Sequence, residues 1–179
     1  VLKPSEVTAH TSAILAERLP DYLDTDAIAL VEGGVPETSA LLEQRFDHIM
    51  YTGNGSVAKV IMEAAAKNLT PITLELGGKS PCIVDRTADL AVAARRIAWG
   101  KFMNAGQTCI APDYILVEES IEEELIAELE KSVEEFYSGE TQENPDYTRI
   151  VNSRHHERIS QLMEGQEIAF GGATRAEDC

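Results

Sequence analysis

The sequence contains few cysteines: of its 179 residues, three are Cys. An odd number cannot form a complete disulfide framework, and the three show no metal-ligand spacing. This shortage excludes a disulfide-stapled fold and a cysteine metal centre, and it is typical of a reducing compartment. We therefore expect no bound metal and a cytoplasmic location.

Basic residues are also scarce, with 15 Lys and Arg against 31 Asp and Glu, which gives a net charge of −16. Proteins that bind nucleic acid neutralise its phosphates with clusters of Lys and Arg. The composition therefore excludes nucleic acid as a partner. Much of the acidic excess lies between residues 118 and 143, where it indicates the solvated face of a helix.

Long hydrophobic runs are absent, because no apolar stretch approaches the roughly 20 residues of a membrane span. The sequence begins at Val1 without methionine and ends at Cys179 in a polar stretch. We therefore expect an internal fragment of a longer protein. A targeting signal or membrane tail of that protein cannot be assessed from these residues.

Strand and helix patterns alternate along the chain. Short runs rich in apolar residues predict strands over residues 27–31, 47–52, 72–74, 81–84 and 114–117. Helical spacing of apolar residues predicts helices after Ser5, from Pro36, over 57–66 and 88–102, and from Ser120. Such alternation is typical of crossovers that join parallel strands, so the sequence predicts an α/β fold with a mostly parallel sheet.

Local signals mark the ends of two of these helices. Apolar residues between Val7 and Leu19 form one helical stripe, and Pro20 directly after it predicts the end of that helix. Ser120 and Glu123 have the spacing of a capping box for the acidic helix. We therefore expect the first helix to stop before Pro20 and the acidic helix to begin at Ser120.

A glycine-containing loop, Gly53-Asn54-Gly55, joins a predicted strand to a predicted helix, and Ala58 completes a Gly-x-Gly-x-x-Ala pattern. Glycines at this place let backbone amides approach a pyrophosphate, and the start of a helix favours its negative charge. By spacing alone, a plain strand-to-helix turn is an equally good interpretation.

Cys109 ends the loop Gly106-Gln107-Thr108-Cys109. A free cysteine is more often a small buried residue than a nucleophile, and Cys82 keeps that interpretation. Polar residues and a glycine precede Cys109, however, and the predicted helix before it ends near Phe102. We therefore expect the Cys109 thiol to project from a turn, where a base or a lowered pKa could activate it.

Glu75 interrupts an apolar strand between Leu74 and Leu76, directly before a Gly-Gly pair. Burial at a strand end would raise the pKa of its carboxyl group toward that of a useful general base. A structural ion pair with Lys79 or a nearby Arg explains the same residue equally well from the sequence alone.

The runs 74–79 (LELGGK) and 106–109 (GQTC), with Glu75 and Cys109 separated by 109 − 75 = 34 positions, resemble the active-site signatures of the aldehyde dehydrogenase superfamily. The resemblance covers essentially the whole chain. Residues 96–104 (RIAWGKFMN) are similar to a run of the short, class 3 branch, whose members use fatty and aromatic aldehydes.

This resemblance implies a mechanism. The Cys109 thiolate would add to an aldehyde, with its oxyanion held by the Cys109 N–H and by a side-chain amide outside this sequence. Loss of hydride would leave a thioester, and Glu75 would activate the water that releases the carboxylic acid.

The resemblance also implies an NAD(P) site. Gly53 matches the first glycine of the family loop Gly-Ser-Thr-x-x-Gly, while Asn54 and Gly55 replace its Ser and Thr, and Ala58 replaces its second glycine. These four residues are the expected phosphate contacts. The loop therefore departs from the family pattern at three of them.

Three further residues complete the expected cofactor site. Lys3 and Glu6 match a family run that holds the adenosine ribose hydroxyls, and Leu76 lies within the glutamate signature, directly after Glu75. By themselves, Lys3 and Glu6 are also explained by a solvated helix start. A carboxylate at the ribose repels the 2′-phosphate of NADP, so the resemblance implies NAD, with NADP possible.

The resemblance implies that residues 1–77 belong to a Rossmann-like, parallel-sheet cofactor domain and residues 78–179 to the first part of an α/β catalytic domain. It further implies an aldehyde substrate and a homodimer. A catalytically inactive cofactor-binding relative is one alternative, supported by the departures at Asn54 and Ala58. A coenzyme A-acylating dehydrogenase is another, against which Glu75 argues because that group commonly lacks the glutamate.

Overall fold

The computed structural model describes residues 1–139 and 141–179. The chain divides into two compact units, Val1–Leu76 and Gly77–Cys179. The boundary predicted from the sequence lies between residues 77 and 78. The cofactor role of the first unit and the catalytic role of the second stay predictions.

The first unit is built around a parallel pair of strands with a helix between them. Its elements are a 3₁₀ turn at Glu6–Thr8, α1 (Ala9–Tyr22), α2 (Val35–Leu42), β1 (Ile49–Thr52), α3 (Gly55–Ala66) and β2 (Ile72–Glu75). Strands β1 and β2 pair in register from Ile49–Ile72 to Thr52–Glu75. Helix α3 buries Ala58, Ile61 and Ala65, which share one face because they are three and four residues apart.

The second unit repeats this strand–helix–strand arrangement and adds two helices. Its elements are β3 (Ser80–Val84), α4 (Leu90–Phe102), a 3₁₀ turn at Met103–Gly106, β4 (Pro112–Val117), 3₁₀ turns at Glu119–Ile121 and Thr141–Glu143, α5 (Glu122–Phe136) and α6 (Ser153–Met163). Strands β3 and β4 are parallel, with a shift in register between Ser80 and Pro81.

The core of the second unit lies where α4 and α5 pack against the sheet. Val84, Ala94 and Leu125 form its buried centre, and each comes from a different element. Ala94 and Ala98 of α4 are 0% and 1% exposed, so α4 approaches its neighbours closely. The predicted inward faces of both helices are confirmed at these positions.

An aromatic cluster holds the end of α4. Phe102 and Tyr137 have ring centroids 5.9 Å apart, and Tyr147 packs edge-on against Tyr137 at 5.2 Å. Burial raises the pKa of Tyr147, so its hydroxyl stays neutral in the physiological range. The cluster packs against Phe102, the last residue of α4.

The α/β prediction is confirmed, since both strand pairs are parallel and each is joined through a helix. The predicted strand over 27–31 is wrong, because within it Leu30 alone forms a bridge, with Leu2. The amides of Ala27 and Ile28 donate to the Asp24 carbonyl at 3.1 and 2.9 Å. A turn therefore takes up the backbone groups that a ladder would need.

Two predicted helix ends are also wrong. Pro20 lies inside α1, which continues to Tyr22 because a proline in the last turn removes one hydrogen bond while Leu23 still donates to Leu19. Ser120 does not cap α5, because it lies within the preceding 3₁₀ turn. Acidic side chains in the first turn of α5 stabilise that helix start through the helix dipole.

Among residues 1–139 and 141–179, no helix has the length and apolar content needed to cross a membrane. Within the same residues, no group of three or more His, Cys, Asp and Glu side chains is placed to hold a metal ion.

Candidate active site

Lys3 and Glu6 form a connected pair at the start of the first unit. The Leu2–Leu30 bridge places Lys3 so that its Nζ donates to the carbonyls of Gly33 at 2.9 Å and Pro4 at 2.7 Å. Glu6 Oε2 lies 3.5 Å from the same Nζ. The pKa of Glu6 lies below its usual value, mainly through a hydrogen bond from its own backbone N–H, with Lys3 adding to the effect. The pair therefore presents an ionised acceptor beside a fixed cation.

The Gly53–Gly55 loop is held by the residues on both sides of it. Gly53 N–H donates to the Glu75 carbonyl at 2.9 Å, and a side chain at Gly53 would collide with Tyr51. Asn54 caps α3, since its Oδ1 accepts from Val57 N–H at 2.9 Å. A side chain at Gly55 would meet only open space. The loop thus offers an accessible backbone at the start of a helix.

Two backbone amides of this loop are suited to an anion. The first-turn amides of Gly55 and Ser56 have no acceptor within α3, and they lie at the positive end of the helix dipole. Ala58 is different, because it is 2% exposed and its N–H donates to the Asn54 carbonyl. Ala58 therefore supports the loop by packing, and the direct phosphate contact expected of it is not available.

Glu75 is the last residue of β2 and pairs with Thr52. The strand alternates between partly buried Ile72 and Leu74 and exposed Thr73 and Glu75, so its carboxylate lies on the outer face. Glu75 is therefore not buried in this structure. Leu76 follows at 37% exposure. Through its carbonyl, Glu75 is bonded to the Gly53 loop, so the structure brings the catalytic and phosphate candidates of this unit to one strand end.

Lys79 pairs with Asp113 in the second unit, and their Nζ and Oδ2 atoms are 2.8 Å apart. The pKa of Asp113 is lowered, first by this hydrogen bond and then by the charges of Lys79 and Lys101. Lys79 therefore pairs with Asp113 and not with Glu75, the partner considered from the sequence.

Cys109 lies in the loop between α4 and β4. Of the three cysteines, all of which the structure describes, Cys109 is exposed, while Cys82 and Cys179 are half-buried. The prediction that its thiol projects from a turn is confirmed. An exposed thiol can meet a substrate and can lose its proton to solvent or to a base.

The backbone before Cys109 is strained. Asn104, Ala105 and Gly106 have φ values of 54°, 51° and 73°, a run of three left-handed residues. Left-handed geometry costs a residue with a Cβ roughly 1–2 kcal/mol, although Asn tolerates it better than Ala. Other contacts must therefore hold this loop in its observed shape.

Gln107 provides such contacts. Its Nε2 donates to the carbonyls of Asn104 at 3.0 Å and Arg149 at 3.1 Å, and its Oε1 accepts from Val151 N–H at 2.9 Å. The sequence interpretation gave Gln107 no role of its own. A polar residue between Gly106 and Thr108 was the only sequence signal for this role. It could not identify the partners of Gln107, because they lie 42 and 44 residues further along the chain.

Gly78 lies against the same loop. A side chain there would overlap the Cys109 carbonyl oxygen, so glycine is required for the close approach of the two backbones. This contact explains the second glycine of the LELGGK run.

A hollow of about 280 Å³ opens beside the strained turn. Its lining includes Trp99, Met103 and Asn104, together with Tyr137 and Asp146. Trp99 is 62% exposed and provides a flat apolar surface there. The sequence interpretation assigned no site role to these side chains.

Comparison with known proteins identifies relatives along the whole length of the chain. The profile described as "Aldehyde dehydrogenase family" matches residues 1–178. Aldehyde dehydrogenase family 3 member A2 of Mus musculus is 63% identical over 137 residues, which are 76% of this chain and 28% of that protein. The dimeric, NADP-preferring aldehyde dehydrogenase of Rattus norvegicus is 58% identical over 144 residues, 80% of this chain and 32% of that protein.

Solved structures agree with these relatives. The substrate-bound state of Staphylococcus aureus AldH is 45% identical, with a TM-score of 0.91 over 98% of this chain and 39% of that chain. A Mycobacterium tuberculosis aldehyde dehydrogenase complexed with NAD+ is 28% identical, with a TM-score of 0.83 over 99% of this chain and 39% of that chain. This chain spans about a third of the length of the curated relatives. The resemblance seen in the sequence is thereby confirmed, and the chain belongs to the aldehyde dehydrogenase family.

Proposed function

We propose that this protein oxidises an aldehyde to a carboxylic acid with NAD or NADP, through a covalent bond to Cys109. The observation that carries the proposal is the exposed Cys109 thiol on a strained loop that is held by hydrogen bonds. The family membership of the chain supports the same activity.

Cys109 performs the first step of the proposed reaction. Its thiol loses a proton, because the thiolate is the nucleophile, and the sulfur then bonds to the carbonyl carbon of the aldehyde. The carbonyl oxygen becomes an alkoxide, which the Cys109 N–H would stabilise. A nicotinamide cofactor, when bound, would accept the hydride that this carbon loses, and Cys109 would then carry a thioester.

Glu75 performs the second step. Its exposed carboxylate takes a proton from water, and the water oxygen bonds to the thioester carbon. The carbon–sulfur bond then breaks, which releases the carboxylic acid and regenerates the Cys109 thiolate. Exposure of Glu75 suits this role, because water must reach the carboxylate.

The residues of the first unit fit an NAD(P) cofactor. The free first-turn amides of Gly55 and Ser56 would hold its phosphates, and the open space at Gly55 leaves room for them. Lys3 and Glu6 would hold a ribose. The Glu6 carboxylate disfavours a 2′-phosphate and the adjacent Lys3 offsets that repulsion, so we propose NAD with NADP accepted.

The substrate and assembly follow from the same family relationship. We propose an aldehyde substrate, because the relatives are named aldehyde dehydrogenases. Because the rat relative is named as dimeric, we also propose a homodimer.

The test of the proposed function is replacement of the nucleophile in the full-length protein. Cys109→Ala should abolish NADH production from an aldehyde, because no thioester can form, while the dissociation constant for NAD stays unchanged. Cys82→Ala is the matched control and should keep turnover within a few-fold. Retained turnover in the Cys109 variant would refute the proposal.

A further inference from the structure

The carboxamide of Gln107 is fully engaged with the backbone. Its two N–H groups donate to the carbonyls of Asn104 and Arg149, at 3.0 and 3.1 Å. Its oxygen accepts from Val151 N–H at 2.9 Å. The main chain of Gln107 adds a donated bond to the Asn104 carbonyl and an accepted bond from Asn104 Nδ2. No N–H of this side chain is left for a substrate.

The partners on the distant segment have the spacing of a sheet. Gln107 bonds to the carbonyl of Arg149 and to the N–H of Val151, which are two residues apart. In a parallel sheet, one residue likewise bonds to a carbonyl and an N–H that lie two residues apart on the neighbouring strand. The side chain of Gln107 thus takes the place of a strand residue. It ties the loop to a segment more than 40 residues further along the chain.

The loop needs this tie because of its backbone geometry. Asn104, Ala105 and Gly106 are all left-handed, and a side chain at Gly106 would come within 3.0 Å of the Lys101 carbonyl. Gln107 bonds to Asn104 at the start of this turn, and it stands two residues before Cys109. Its hydrogen bonds therefore link the strained turn to the Arg149–Val151 segment, and the chain continues from Gln107 to Cys109 two residues later.

We propose that Gln107 is the positioning residue of the Cys109 thiol, acting through its carboxamide bridge to the Arg149 and Val151 backbone. The inference rests on the proposed function, since it assumes that Cys109 is the nucleophile. Gln107 touches neither substrate nor cofactor. It fixes the loop so that the sulfur meets the carbonyl carbon at bonding distance.

The experiment measures the first turnover of the full-length protein by rapid mixing with aldehyde and NAD. In Gln107→Ala, the rate constant of the NADH burst should fall about 10- to 100-fold, because a misplacement of about 1 Å can cost about 100-fold in rate. The burst amplitude and the NAD dissociation constant should stay unchanged. Gln161→Ala is the matched control, since Gln161 is exposed on α6 and should leave the burst as it is.

Gln107→Glu adds a pH readout. Its carboxylate keeps the acceptor for Val151 but faces the carbonyls of Asn104 and Arg149 without a donor. Protonation restores one O–H donor, so the burst rate relative to the unmodified protein should rise as the pH falls through the pKa of the new carboxyl group. A role in global stability alone predicts no such recovery of the rate constant.

A second site on the bridge keeps the inference testable if Gln107→Ala fails to fold. Val151→Pro removes the N–H that donates to Gln107 and should lower the burst rate constant, while Val151→Ala keeps that N–H and should not.

A reduced burst amplitude at an unchanged rate constant would overturn the inference, as would Gln107 variants that behave like Gln161→Ala. If Cys109→Ala keeps its turnover, the proposed function fails and the inference falls with it, so the two failures are distinguishable.

Discussion

At the scale of single residues, the Cys109 thiol and the Glu75 carboxylate are both exposed, but their backbones are held differently. Cys109 follows a left-handed turn that Gln107 bonds to a distant segment. Glu75 ends a regular strand, and its carbonyl accepts from Gly53. The proposed nucleophile is therefore held by side-chain contacts and the proposed base by a sheet.

Glu75→Gln separates the two halves of the proposed reaction. The substitution removes the base that activates water, and loss of a general base typically costs about 10²–10⁴-fold. In the full-length protein we expect a normal NADH burst followed by a steady rate reduced by that factor. Rapid mixing with aldehyde and NAD measures both phases.

Glu63→Gln is the control for this experiment, because Glu63 is an exposed carboxylate on α3 in the same unit. Loss of the burst together with the steady rate would assign Glu75 to activation of Cys109 instead of water. Unchanged turnover would remove Glu75 from the mechanism.

At the scale of elements, the N-terminal end of α3 carries a helix cap beside the proposed phosphate site. Asn54 caps it through Val57 N–H, while the amides of Gly55 and Ser56 stay free. The cap and the proposed phosphate site are thus adjacent, and substitutions of Asn54 can separate them.

Asn54→Ala should lower the free energy of unfolding by about 1 kcal/mol, because the cap is lost. Asn54→Asp keeps an acceptor for Val57, so stability should change little, but its charge repels a phosphate and should weaken NAD binding several-fold. Thermal unfolding and calorimetric titration with NAD measure the two effects. Equal NAD affinity in Asn54→Asp and the unmodified protein would place the phosphates away from α3.

Elements were predictable from the sequence where their signal is local. The apolar stripe of α4 predicted its buried face, because residues three and four apart share one side of a helix. The strand over 27–31 was misjudged because the Asp24 carbonyl accepts from the amides of Ala27 and Ile28, which leaves only a short bridge to Leu2. The role of Gln107 could not be predicted, since its partners Arg149 and Val151 are brought to it only by the tertiary fold.

At the scale of the whole molecule, one face of the β3–β4 sheet carries exposed apolar side chains. Ile83 and Leu116 are register partners and are 77% and 53% exposed, and Tyr114 on the same sheet is 47% exposed. A contiguous apolar surface of this kind favours association. The 179 residues alone therefore present a face that water does not solvate well.

Expressed alone, the 179 residues should self-associate and produce no measurable NADH from an aldehyde. Light scattering during size-exclusion chromatography measures the association, which should decrease in the double variant Ile83→Lys, Leu116→Lys. Leu162→Lys is the control, since Leu162 is 66% exposed and belongs to α6, not to this sheet. A stable monomer with steady dehydrogenase activity would contradict the prediction.

The contact between Gly78 and the Cys109 carbonyl limits how this chain can be recombined. The two residues are 109 − 78 = 31 positions apart, yet any side chain at position 78 would force the Cys109 loop to move. Gly78 and the Cys109 loop must therefore fit each other, although they come from two separate pieces of sequence. A chimera that takes one run from a distant relative and keeps the other would have the matching residues, but its backbones at Gly78 and Cys109 would not fit together.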